Sequence, residues 1–254
     1  MNEIKIIPIG SSSSGNCFYL EMGGYHLLID LGIGYKKVKN ALEVNGLDLS
    51  MINGVFVTHG HGDHIKAAEV ISKRLNCKIY AESSSMYSLR KTVVDRISIN
   101  TYEDIEIFPG LIVRMFMVPH DFVKTCGYVF KYGDKKVGFV TDCGKMSEDI
   151  IEELKGSDVI IIESNHDKEM LKNGPYPKQL QARILSKYGH LSNDGCAKTI
   201  KVLSEYGTKN YLLAHISKHN NTYELALKTT RDYIKDDSIN IYVCKEESTD
   251  LLNY

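Results

Sequence analysis

Four metal-competent side chains fall within the six residues His59-Gly60-His61-Gly62-Asp63-His64. They follow the apolar run Gly54-Val55-Phe56-Val57-Thr58, which reads as a strand, and precede a helical pattern from Ile65 to Leu75. Two glycines let the backbone turn tightly enough for imidazoles and carboxylate to converge. Neutral imidazole and carboxylate are ligands for zinc, manganese or iron. With nine histidines in the chain, three at this spacing beside an aspartate point to a metal site. The fold must therefore present this loop at a strand end.

A chain of 254 residues can bury a sizeable core, and a single domain spanning residues 1–254 is expected. A net charge of −1 excludes a global basic footprint, so a nucleic-acid partner would need a local basic surface. Six cysteines without a Cys-x-x-Cys pair read as reduced thiols in a cytoplasmic protein. The opening Met-Asn-Glu-Ile-Lys-Ile-Ile-Pro lacks a hydrophobic leader, and no run of about 18 apolar residues occurs. Neither export nor membrane spanning is expected.

Apolar runs alternate with helical stretches in two batches. Strands are expected at 4–9, 17–21, 26–29, 54–58 and 78–81, with helices at 35–45, 65–75 and 83–94. Short strands follow at 96–99, 105–107, 111–118, 126–132 and 136–141. The second batch has strands at 159–164, 210–215 and 240–243, and helices at 147–154, 178–188, 194–206 and 221–233. Strands followed by helices, twice over, suit two mixed sheets packed face to face with helices outside.

Further candidates stand singly at strand ends: His120 after 111–118, Asp142 after 136–141, and His215 after 210–214. With the six-residue motif, this pattern resembles the metallo-β-lactamase superfamily, in which His-x-His-x-Asp-His is followed by an isolated His, an Asp after a strand and a late His. The resemblance implies a four-layer αββα sandwich with a dinuclear metal centre. It implies that His59, His61 and His120 hold one ion, that Asp63, His64 and His215 hold the other, and that Asp142 bridges. Asp63 would also orient the nucleophile. Asp30, ending Tyr25-His-Leu-Leu-Ile-Asp30, matches the family's early Asp and would support the His59–His64 loop from behind.

A bridging Asp142 is shared with phosphodiesterases and glyoxalase II and is lacking in β-lactamases. The interval between Asp142 and His215 is too short for the nucleic-acid cap domain of the β-CASP group. Gly189-His190-Leu-Ser-Asn193, together with Gly10–Asn16, Glu163-Ser-Asn-His-Asp167 and Leu213-Ala-His-Ile-Ser217, looks most like the YycJ/WalJ subfamily of double-stranded-DNA 5′–3′ exonucleases. Hydrolysis by metal-activated hydroxide attacking phosphorus is then expected, with His190 as proton donor to the leaving oxygen, since transfer-RNA 3′-end ribonucleases and phosphonate-pathway cyclic phosphodiesterases carry a similarly placed non-ligand His in that role. The metals implied are two zinc or manganese ions, with iron also compatible. Ser13, Ser14 and Asn16 are candidate phosphate contacts. Lys172, Lys178 and Arg183, in a basic segment from Lys168 to Lys187, are candidates for a backbone-binding track on DNA. His166 could approach the site or steady a loop, His26 reads as structural, and His219 as exposed. A cyclic small-molecule phosphodiesterase and a thioester hydrolase of the glyoxalase II type are the alternative activities.

Overall fold

The computed structural model describes residues 3–75, 77–89 and 95–254. Its backbone separates into two compact units, the first comprising residues 1–115, 132–134 and 245–254, the second residues 116–131 and 135–244.

In the first unit, β1 (Ile4–Ser12), β2 (Gly15–Met22) and β3 (Tyr25–Ile29) form an antiparallel meander. Parallel pairing then adds β4 (Ile52–Phe56), β5 (Lys78–Ala81) and β6 (Arg96–Ser98). The C-terminal β14 (Leu252–Asn253) closes the far edge beside β1, giving the order β14-β1-β2-β3-β4-β5-β6. Helix α1 (Tyr35–Val44) buries Val38, Ala41 and Leu42 against Tyr19, Leu28 and Val55 of this sheet. The alternate residues Phe18, Leu20 and Leu27 are buried as well, so the sheet is apolar on both faces. A hairpin of β7 (Asp104–Phe108) and the first part of β8 (Leu111–Val118) completes the unit.

The helix expected over 65–75 is two short ones, α2 (Gly62–Ile65) and α3 (Ala68–Ser72). The break falls at Ala67, whose N–H donates to Leu31 O at 2.8 Å, outside any helical ladder. Helix α4 (Ser83–Ser88) covers the start of the expected 83–94 helix; residues 90–94 lie outside the described residues.

In the second unit the strands after β8 are β9 (Thr125–Tyr132), β10 (Lys135–Val140), β11 (Val159–Glu163), β12 (Asn210–Ala214) and β13 (Asn240–Val243). Strands β10 to β13 pair in parallel, so all present their carboxyl ends on one side. Helices α5 (Glu148–Leu154), α8 (Asn193–Ser204) and α9 (Tyr223–Ile234) bury Ile150, Leu154, Cys196, Ile200, Leu203, Ala226 and Ile234 against Val140, Ile160, Ile162, Tyr211 and Leu213. Between β11 and α8 run α6 (Lys168–Asn173), not foreseen from the sequence, and α7 (Lys178–Leu185), shorter than the 178–188 expected. All six cysteines are free and buried. Burial raises the pKa of the Cys17, Cys143, Cys196 and Cys244 thiols, which makes them unreactive. Among the described residues no helix is long and apolar enough to cross a membrane.

Candidate metal centre

Strand β3 ends at Ile29, and the next residue, Asp30, takes a left-handed φ of 60°. Asp142, two residues after β10, and His215, directly after β12, do the same at 52° and 57°. Non-glycine residues avoid this region unless surrounding structure enforces it. Three of the residues selected from sequence are thus held in strained backbone at the mouths of strands.

In the first unit, Asp30 is fully buried and its carboxylate accepts from three donors, Thr58 Oγ1 reaching both oxygens. Thr58 N donates to Oδ1 at 2.8 Å, Thr58 Oγ1 donates to Oδ1 at 3.1 Å, and His64 Nδ1 donates to Oδ2 at 2.7 Å. Burial raises the Asp30 pKa, opposed by the His64 imidazole and the Thr58 bonds. With its Nδ1 hydrogen committed to Asp30, His64 presents a lone pair at Nε2, which lies 3.2 Å from Asn16 Nδ2 and 3.5 Å from Asp63 Oδ2. His59 Nε2 and His61 Nδ1 approach to 2.9 Å, two ring nitrogens converging on one point. Gly32 is obligatory here, because a Cβ at this position would lie 1.5 Å from Asp63 O. Ser13 and Ser14 sit exposed at the β1–β2 turn, and Asn16 is buried.

In the second unit, His120 Nδ1 donates to Gly189 O at 3.1 Å, leaving Nε2 3.7 Å from Asp142 Oδ1. The centre of this cluster is Glu163, which ends β11 and is fully buried. Its Oε1 accepts from His190 Nδ1 at 2.8 Å and from His215 Nδ1 at 2.7 Å. Its Oε2 accepts from the backbone N–H of Cys143 at 3.0 Å and of Leu191 at 2.8 Å. Burial alone would raise the Glu163 pKa; the His190 charge and the imidazole bonds more than offset this and hold it below the usual carboxylate range. For His190 burial lowers the pKa, and the Glu163 charge and bond overcome it, so the imidazole is pushed up. Donor atoms of Asp142, Glu163, His190 and His215 all lie within 4.8 Å of one another.

His64, His120 and His215 share one arrangement: Nδ1 is fixed by a carboxylate or carbonyl, which sets the tautomer and exposes Nε2 as a donor. This donor chemistry fits a divalent metal.

His166 is buried between Asn165 and α6, forms a bridge with Ser192, and is held near a pKa of about 4 by burial. His26 bonds Tyr19 OH at 2.6 Å, and His219 is exposed with its ring 5.8 Å from Tyr176. The basic segment is locally neutralised: Lys172 pairs with Glu169 at 2.8 Å, Arg183 with Asp121, and Lys168 with Asp194 at 3.1 Å. Lys178 donates to Lys172 O and Gln181 Oε1. Sequence reasoning did not select Glu163. Its signal was an acid terminating an all-apolar strand, a position like that of Asp30 directly after β3.

The sequence profile of the β-lactamase superfamily domain matches residues 25–216. The chain is 31% identical over 232 residues to exodeoxyribonuclease YycJ of Bacillus anthracis, covering 90% of this chain and 88% of that one. It is 34% identical over 238 residues to exodeoxyribonuclease WalJ of Streptococcus pneumoniae, with the same coverage of both. The crystal structure of the metallo-β-lactamase fold protein YhfI from Bacillus subtilis superposes with a TM-score of 0.75 at 16% identity, covering 99% of this chain and 100% of that one.

Proposed function

Because the chain belongs to the metallo-β-lactamase superfamily, with its α/β sandwich of two mixed sheets flanked by helices, we propose that it is a two-metal phosphodiesterase that degrades double-stranded DNA from 5′ to 3′. The chain is a metal-dependent hydrolase. The observation that carries the nuclease reading is similarity over nine-tenths of its length to two exodeoxyribonucleases. We read the 254 residues as one domain.

We assign His59, His61 and His120 to one ion and Asp63, His64 and His215 to the other, with Asp142 shared. Zinc or manganese suits this mixture of nitrogen and oxygen donors. Such ions supply Lewis acidity, making water acidic near neutral pH and offsetting phosphoryl charge. Asp63 accepts a hydrogen bond from the attacking water and aims it in line with phosphorus. Asp30 and Glu163 hold the imidazoles of His64 and His215 in the tautomer that keeps Nε2 as donor. His190, charged through Glu163 and fixed at Nδ1, carries its second proton at Nε2 and delivers it to the leaving oxygen. Ser13, Ser14 and Asn16 are the phosphate contacts we assign near the metal-binding loop; Lys172, Lys178 and Arg183 form a secondary, partly neutralised track.

The test is metal-loaded protein against end-labelled duplex DNA, single-stranded DNA, RNA and bis(p-nitrophenyl) phosphate. Stepwise shortening of duplex DNA from the 5′ end is expected. Hydrolysis of the small ester with no polymer cleaved would replace the nuclease by a small-molecule phosphodiesterase.

A further inference from the structure

The second unit contains a cavity of about 410 Å³ that begins at His190 and runs along one face of α8. That volume is within the range of about 300–1,000 Å³ typical of small-molecule sites. Its walls are apolar, with Met146, Leu191 and Val202 among them, and the exposed Lys145, Lys168 and Lys198 bring three ammonium groups to it. Lys168 is paired with Asp194; no ion pair is recorded for Lys145 or Lys198 among the described residues. His166 also lines the cavity, is 1% exposed, and its Nδ1 makes no hydrogen bond. A buried polar atom without a partner costs free energy unless a ligand or water satisfies it. Apolar walls, cations and one unmet polar group together describe a site for a nucleotide: a base against the walls, a phosphate on the ammonium groups.

Resting on the exonuclease reading, we infer that this cavity receives the 5′-terminal nucleotide of the strand, with its 5′-phosphate on Lys145 and Lys198. The chemistry of cleavage selects this nucleotide. The oxygen of water forms the new bond to phosphorus, the P–O3′ bond breaks, and His190 gives its proton to O3′. The fragment leaving beside His190 is therefore the terminal nucleotide, released with its 5′-phosphate and a free 3′-hydroxyl. A cavity adjoining the proton donor is where that fragment must lie. To enter it, the terminal base leaves its pair, at a cost of a few kcal/mol that apolar contact with the wall and the phosphate contacts offset. Among the lysines, Lys145 and Lys198 carry the inference, and neither belongs to the Lys168–Lys187 segment that the sequence had suggested.

The experiment pairs Lys145→Glu/Lys198→Glu with wild type, both substitutions being on exposed side chains, and the fold of the variant is checked by circular dichroism. Binding of deoxyadenosine 5′-monophosphate is measured by calorimetry on metal-loaded protein, and degradation rates are compared on 5′-phosphorylated and 5′-hydroxyl duplexes. Wild type should bind the nucleotide and prefer the phosphorylated end by at least about tenfold. The variant should lose both properties and hydrolyse bis(p-nitrophenyl) phosphate at the wild-type rate. Nucleotide binding unchanged by the charge reversal, or a wild type indifferent to the 5′-phosphate while degrading duplex DNA, would overturn the inference and leave the exonuclease reading standing. Nucleotide binding lost in the variant, with duplex DNA untouched by wild type, would instead remove the exonuclease reading and keep the nucleotide site.

Discussion

Glu163→Gln should disable the cluster of His190 and His215 in the second unit while leaving every proposed metal ligand in place. The carboxylate accepts four hydrogen bonds, two from imidazoles and two from backbone N–H groups. A glutamine keeps one acceptor oxygen and turns the other position into a donor, so one pair of bonds is lost. If the oxygen stays with Cys143 and Leu191, the amide N–H faces His190 and His215 and favours the opposite tautomer of each. Hydrogen bonds to a charged group contribute about 1.5–3 kcal/mol each, so two lost bonds amount to about 3–6 kcal/mol. Part of this falls on folding and part on the metal, since removing a partner behind a ligating histidine weakens metal affinity by about 10–100-fold. Turnover should fall further than metal occupancy, because His190 loses the charge that keeps it protonated. The assay combines urea unfolding, metal affinity by competition with a chelating dye, and turnover on duplex DNA at saturating metal. Wild-type turnover and affinity in a folded Glu163→Gln protein would refute the role given to this carboxylate.

His190→Ala should keep its metal and lose about 10²–10⁴-fold in turnover on DNA while sparing a nitrophenyl ester; equal losses on both substrates would argue against proton donation. Gly32→Ala should displace Asp63 and lower metal content, because the added Cβ falls 1.5 Å from a backbone oxygen; intact metal content would show that the loop can yield. His166 is held near a pKa of about 4, against about 6.5 in the unfolded chain, so the unfolded state binds more protons between these values and stability falls as pH falls through this window. At about 1.4 kcal/mol per unit the loss approaches about 3 kcal/mol, and His166→Gln should flatten that part of a pH–denaturation profile; an unchanged acid limb would contradict the assignment.

Much of the site was legible because its residues obey a simple rule: a titratable side chain ends an apolar strand. Asp142 and His215 were proposed that way and Asp30 through its match to the family's early Asp, and Glu163 fits the same rule at the end of β11. Glu163 also opens the segment Glu163-Ser-Asn-His-Asp167 that carries the subfamily resemblance, but nothing along the chain shows that the His190 and His215 imidazoles converge on it. What the sequence could not disclose is which partners surround a charge. The Lys168–Lys187 run reads as basic along the chain, yet Asp121, Glu169 and Asp194 pair with its members through space. Helix limits were also blurred where tertiary bonds intervene, as at Ala67, whose N–H is taken by Leu31 O. The short β14 escaped notice because two residues carry no periodicity, and pairing with β1 alone defines it.

The central claim is that two metal ions and a DNA end meet on this chain. Protein stripped by a chelator should release no label from a 5′-labelled duplex. Stepwise return of zinc or manganese should restore release as labelled mononucleotide, with full activity reached at two ions per chain. Full activity at one ion per chain, activity in the stripped protein, or cuts made within the strand would contradict the account.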